Sequence, residues 1–152
     1  MTATNVALSV GTVVSVSAAA PASEDQTGYE ALAWTVVGEI TDLGEFGGTA
    51  QVTTFTPVAS GVVNKRKGSI DYGTMPLAIA KDAADAGQII LKAGFDGAHR
   101  NTVHSFRIAE PDSGDVAYLM GSISSFTTTR GDANMVMSHN CNVEVTSESV
   151  VV

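Results

Sequence analysis

Apolar side chains recur at every second position through Val6, Leu8 and Val10, and again through Val14 and Val16, in a stretch rich in Val, Ser and Thr. A period of two puts alternate side chains on opposite faces of an extended chain, so residues 5–17 are expected to form a half-buried strand. Residues 18–27 follow neither a helical nor a strand period and hold Pro21, Ser23, Glu24 and Asp25, the composition of an exposed connection. An apolar strand is expected over residues 34–43, ending at Gly44, and another over residues 50–58 with Val52, Phe55 or both on its apolar side. Residues 59–69 contain Gly61, Gly68 and the run Lys65-Arg66-Lys67 and read as a long hairpin loop, after which the chain returns in a strand over residues 70–80. Pro76 has no amide hydrogen to donate, which calls for a bulge or an edge position within that strand.

One segment has the marks of a helix. In residues 82–93, Asp82 is placed to cap the N-terminus, Asp85 lies in the first turn, Ile89, Ile90 and Leu91 supply an apolar face, and Gly94 supplies the stop. Gly87 inside it costs about 1 kcal/mol relative to alanine, so this helix must be held by packing on a sheet. Three further strands are expected, over residues 102–109, 116–129 and 134–145. Pro111-Asp112-Ser113-Gly114 and Arg130-Gly131-Asp132 form the bends between them, and the last two strands make a long hairpin. Strands, one helix, then strands define an α+β chain that is mainly β: an antiparallel sandwich or barrel with one flanking α-helix. At 152 residues the chain fits one domain, 1–152, and it shows no internal repeat.

Composition narrows the function classes. Apolar residues make up 44% and charged residues 16%, the balance of a folded domain, and no apolar run approaches the ~18–20 residues of a membrane span. Sixteen acidic against eight basic residues leave a net charge of −8, which opposes unassisted binding to phosphate backbones. The N-terminus lacks the cationic start and apolar block of a secretory signal. The single cysteine, Cys141, flanked by Asn140 and Asn142 in a strand pattern, is expected to be a buried or half-buried thiol rather than a reactive one, and suits a reducing compartment.

No constellation of catalytic or metal-binding residues emerges. His99, His104 and His139 share no ligand spacing, and Ser138-His139 lacks a Gly-x-Ser-x-Gly turn. The segment from Gly94 to Gly97 is too short for a calcium loop. Arg130-Gly131-Asp132 matches an adhesion tripeptide but falls where a hairpin needs its turn. Trp34 and the few other aromatic residues read as core or interface anchors, since a stacking platform for single strands would come with a basic groove. No catalytic residue, cofactor or metal is therefore expected.

Several segments taken in order carry a resemblance. Trp34-Thr-Val-Val-Gly-Glu-Ile-Thr-Asp-Leu-Gly-Glu-Phe-Gly47, then Thr53-Thr-Phe-Thr-Pro57, resembles the front half of siphophage tail tube proteins. Val63-Asn-Lys-Arg-Lys-Gly-Ser-Ile-Asp-Tyr-Gly73 is similar to that family's long loop and returning strand, and Asp82-Ala-Ala-Asp-Ala-Gly-Gln-Ile-Ile-Leu91 to its helix. With the closing hairpin, the resemblance covers roughly residues 34–145. It implies a small β-sandwich with one helix, assembled as hexameric rings that stack into a hollow tube conducting DNA from capsid to host. Some relatives add an immunoglobulin-like domain. The chain stops at Val152, so a minimal tube subunit is expected.

On that reading, the main partner is the chain itself, with tape measure, tail terminator and distal tail proteins as further partners. DNA passes without specific binding, no membrane is involved, and the protein belongs to the virion tail after synthesis in the host bacterial cytoplasm. The ring needs unlike patches that meet and close, and an exposed sheet edge can supply one of them. Val62, Val63, Lys65, Arg66 and Lys67 are the candidate inter-ring stacking residues; the alternative for the basic run is a solvated hairpin tip. Asn142, Glu144 and Glu148 are candidate channel-lining residues, because Asn140, Asn142, Glu144, Thr146 and Glu148 alternate with Cys141, Val143 and Val145, and Asp71 in the returning strand is a second wall candidate; an outer strand would alternate in the same way. The termini, 1–4 and 146–152, are expected to be flexible or ordered on assembly. The rival reading is a stand-alone β-sandwich binding module such as a capsid decoration or adhesion domain.

Overall fold

The computed structural model describes residues 6–152; Asn5, the first residue of the expected opening strand, and the tail 1–4 lie outside the described residues. The elements are β1 Val13–Ser17, α1 Gln26–Glu30, β2 Thr35–Val37, β3 Ile40–Asp42, β4 Thr49–Phe55, β5 Asn64–Asp71, β6 Thr74–Ala80, α2 Ala86–Gly94, a 3-10 turn at Gly97–His99, β7 His104–Glu110, β8 Asp115–Thr129, β9 Ser138–Val145 and β10 Val150–Val151. The fold is mainly antiparallel β, as the pattern predicts. An eight-stranded sheet runs β2-β1-β7-β8-β9-β6-β3, with β10 beside β8, and β4 and β5 form a separate two-stranded sheet.

The strand order dictates the shape of the large sheet. β2 and β3 sit at opposite ends of the strand path, yet only Gly38 and Glu39 connect them. Three Cα steps reach at most about 11 Å, so the sheet has to curl until its two ends are neighbours. Glu39 is the one non-glycine residue with positive φ (60°) among those described, a strained corner where a single apolar strand was expected over residues 34–43.

The N-terminus of α2 locks this corner. Asp85, not Asp82, is the N-cap: one carboxylate oxygen accepts from the Gln88 amide at 2.9 Å, and the other from the Gly38 amide at 3.1 Å. Gln88 is 3% exposed; its Nε2 donates to the carbonyls of Gly38 (3.2 Å) and Ala80 (3.0 Å), and its Oε1 accepts from the Asp82 amide (3.0 Å). The Ala80 amide in turn donates to the Glu39 carbonyl at 2.8 Å. Gly87 allows the close approach, since a Cβ there would stand 2.5 Å from the Val36 carbonyl oxygen and 2.6 Å from Val37 Cα. The helix therefore accepts a poor helix former because no larger residue fits against β2.

Inside the curl, every second residue of the strands meets in one core: Val14 and Val16 from β1, Met75, Leu77 and Ile79 from β6, Phe106 and Ile108 from β7, Leu119 and Ile123 from β8, and Cys141, Val143 and Val145 from β9, with Leu91 of α2. Leu91 alone of the expected helical trio is fully buried; Ile89 is exposed and Ile90 only partly buried. Gly94 lies inside the last turn and packs close to Ile123 and His104, while Phe95 occupies the C-cap. α1, which begins at the end of the expected loop and runs past it, is a second helix. Its Tyr29 stacks on Tyr118 at 5.2 Å, and the Trp34 indole N–H donates to the Tyr29 carbonyl.

Other boundaries also differ from expectation. The opening strand begins at Val13 because β7, its partner, ends at Glu110 where the chain turns, leaving Val6, Leu8 and Val10 exposed with no strand beside them. Pro76 pairs in register with Asn142 without a break, and the β3 pairing on its other flank stops at Ala78, so the proline takes an edge position and needs no bulge. The bend between β8 and β9 spans residues 130–137, longer than the expected tripeptide turn. β10 holds Val150 and Val151 against Tyr118 and Ala117, within the segment 146–152.

Gln88→Ala would leave two carbonyls and one amide of the seam without partners, at a cost of about 3 kcal/mol. Urea denaturation followed by circular dichroism is expected to show that loss with an unchanged m-value, and a loss below about 1 kcal/mol would mean that the seam is held elsewhere.

Candidate functional site

β4 and β5 form an arm that pairs with no strand of the main sheet. Residues 56–63 join them through Pro57 and Gly61 (φ 63°). The expected hairpin loop is thus shorter than residues 59–69, and Lys65, Arg66 and Lys67 lie on a strand. Those residue types are poor strand formers; what extends them is pairing with Thr54, Thr53 and Val52. Pairing also divides the run. Lys65 and Lys67 share one face with Val52, and Arg66 points to the other with Thr53.

Val62 and Val63 are 61% and 56% exposed at the end of the arm, and Val52, Phe55, Val58 and Ile70 are exposed along it. An isolated two-stranded hairpin is marginal in water, and clustered exposed apolar residues mark contact surfaces. The five stacking candidates therefore lie on one projecting element with unpaired edges.

The four channel-lining candidates do not lie together. Asn142 and Glu144 project from the outer face of β9, where the alternation is observed as expected: Cys141, Val143 and Val145 are buried, and Asn140, Asn142 and Glu144 are exposed. Glu144 accepts from the Thr74 hydroxyl at 2.7 Å and the Ser124 hydroxyl at 3.2 Å. Neighbouring positions on that face are Thr74, Pro76 and Ala78 of β6 and Ser122, Ser125 and Thr127 of β8, so the strip is polar and carries no Lys or Arg. Asp71 instead closes the base of the arm opposite Thr49 and accepts from the Gly73 amide at 2.9 Å. Glu148 lines a cleft with Lys67, Ile70, Tyr72 and Phe46.

A second surface has no forewarning in the sequence, because its residues come from distant segments. Lys81, Lys92 and Arg130 line a cleft of about 650 Å³ together with Ile89, Phe95, Phe126 and His139. His139 Nδ1 lies 2.9 Å from the Thr128 hydroxyl, and the ring packs on Phe126. Burial, with Lys81 and Lys92 adding to it, lowers its pKa. His104 is enclosed near Gly94, and burial lowers its pKa as well. Among the described residues, no group of three or more His, Cys, Asp or Glu side chains is placed to hold a metal, and no helix is long and apolar enough to cross a membrane.

No protein-family model matches the sequence, and no curated protein matches it either. Solved structures do share the fold. Over 99% of both chains, it is similar to a chain of an extracellular contractile injection system, solved as the PVC sheath/tube terminator in its extended state, with a TM-score of 0.66 and 11% identity. Over 92% of this chain and 94% of the other, it is similar to a chain from the tail of an empty GTA particle with C6 symmetry, with a TM-score of 0.62 and 17% identity. The fold is therefore one shared with a contractile injection system component and a GTA tail component, and the mainly-β architecture implied by the tail tube resemblance is observed.

Cys141 is fully buried in the core, and burial pushes its thiol up to about 12. Native protein at pH 8 is therefore expected to leave a disulfide reagent such as DTNB unreacted for hours, and to release one equivalent of chromophore on denaturation; rapid native reaction would show that β9 opens readily.

Proposed function

We propose that this chain is a structural subunit of a phage-type tail tube, without catalytic activity, that forms hexameric rings stacked into a hollow tube for DNA. The observation that carries this reading is the near-complete match of the fold to components of two tail-type assemblies, one of them with C6 symmetry. A binding module of similar size would not need an arm that projects from the sheet with apolar residues at its end.

The physical arrangement suits assembly. The arm presents Val62 and Val63 at its tip and cations on both faces, in a chain whose net charge is −8, so a neighbouring subunit offers both apolar cover and opposite charge. The strip around Asn142 and Glu144 is hydroxyl- and amide-rich and free of cations, the composition of a wall along which phosphate would slide without sticking. Asp71 and Glu148, at the base of the arm and in the cleft beside Lys67, suit subunit contacts better than the wall. In this reading, tape measure, terminator and distal tail proteins meet the tube inside and at its ends, and the assembled protein resides in the virion tail after synthesis in the host cytoplasm.

Concentrated purified protein is expected to make rings or hollow tubes visible by negative-stain electron microscopy, whereas a persistently monomeric species favours the stand-alone module. Replacing Lys65, Arg66 and Lys67 together by serine is expected to leave the thermal melt within a few degrees of the wild type while shortening or abolishing tubes. Tubes of normal length in that variant would refute the stacking role. Arg66→Ser alone, set beside the Lys65→Ser/Lys67→Ser pair, reports which face of the arm meets the neighbour.

A further inference from the structure

β8 spans fifteen residues from Asp115 to Thr129, roughly 48 Å at about 3.4 Å per residue, and its two ends differ in charge. Glu110, Asp112 and Asp115 surround the turn at its start, with no Lys or Arg between Ile108 and Met120. Lys81, Lys92 and Arg130 converge on the cleft at its far end, against Asp82 and Asp96, which leaves that cleft locally positive in an acidic protein.

Exposed apolar residues accompany both ends. The Leu8 amide donates to Asp112 at 2.7 Å, which holds exposed Leu8 beside the acidic turn, and exposed Val151 pairs with Ala117 near the start of β8. At the cleft, exposed Ile89 and Phe95 are part of the lining, and the Lys81 amide donates to the Met137 carbonyl at 2.8 Å, which sets exposed Met137 next to a cleft residue.

We propose that the acidic turn at 110–115 of one copy seats in the Lys81–Lys92–Arg130 cleft of a second copy, as a head-to-tail contact separate from the β4–β5 arm. This rests on the self-assembly reading above. The two surfaces are complementary in charge and both carry uncovered apolar side chains. Because they lie at opposite ends of one long strand, a single molecule cannot join them. Contact between unlike ends leaves a free turn and a free cleft on the product, so each addition prepares the next. A nucleic acid backbone fits the cleft less well, since it would bring no apolar side chains to cover exposed Ile89 and Phe95, and the net charge of −8 opposes its approach.

The test uses reversed charges. Lys92→Glu/Arg130→Glu and Asp112→Lys/Asp115→Lys are each expected to fold with near-wild-type melts but to lose assembly at least roughly tenfold by sedimentation velocity and negative-stain microscopy, because like charges then face each other. An equimolar mixture of the two variants, and the four substitutions combined in one chain, are expected to recover assembly, since every contact is again of opposite sign. Wild-type assembly by both variants would overturn the contact while leaving the tube reading standing. Folded variants that neither mixing nor combination rescues would also overturn it, and would assign the cleft to a different partner. A wild-type chain that never assembles would overturn both.

Discussion

The fold depends on a short corner. Gly38 and Glu39 must carry the chain from one end of a seven-strand path to the other, and this is possible only if the sheet rolls nearly closed. Rolling brings backbone groups of two edge regions together without a continuous ladder between them. Asp85 and Gln88 at the start of α2 satisfy those groups, and Gly87 lets the helix approach closely enough for them to reach. The curl encloses the alternate residues of β1, β6, β7, β8 and β9 as a single core, and leaves the other set facing outward.

Outward-facing positions are not uniform. Near the start of β8, Tyr118 is covered by Tyr29 and Trp34, so that part of the outer face is closed within the chain. Further along, β8, β9 and β6 present hydroxyls, amides and Glu144 to the surroundings. The β4–β5 arm, the segment around Leu8 and the loop at Met135 expose apolar side chains that the described residues leave uncovered. Uncovered apolar clusters of this kind are the feature that the proposed assembly would cover.

How much was legible in the sequence follows from which interactions are local. The alternation through residues 140–145 placed Cys141, Val143 and Val145 inside without error, because period two has one meaning once one face is buried. The turn at Pro111–Gly114 and the long strand after it were equally readable, and Gly114 does take a positive φ of 80°. The strand through Lys65-Arg66-Lys67 was not, since its extended form comes from its partner β4 and opposes its own propensity. Val6, Leu8 and Val10 show the converse: a strand pattern with no strand beside it. Of the candidate site residues, Asn142 and Glu144 share a face because they are two apart on one strand, whereas nothing in the spacing of Asp71 and Glu148 fixed where the turns would leave them.

By itself, then, the sequence determined the alternation of β9, the turn at Pro111–Gly114, the buried thiol and the acidic balance of charge, all properties of neighbouring residues. Only the tertiary structure decided that one apolar run breaks into the two ends of a curled sheet, that Asp85 rather than Asp82 caps the helix, and that Lys81, Lys92 and Arg130 meet around one cleft. Those outcomes depend on which backbone groups and side chains come together across long stretches of chain, and contact between distant segments leaves no periodic trace in the order of residues.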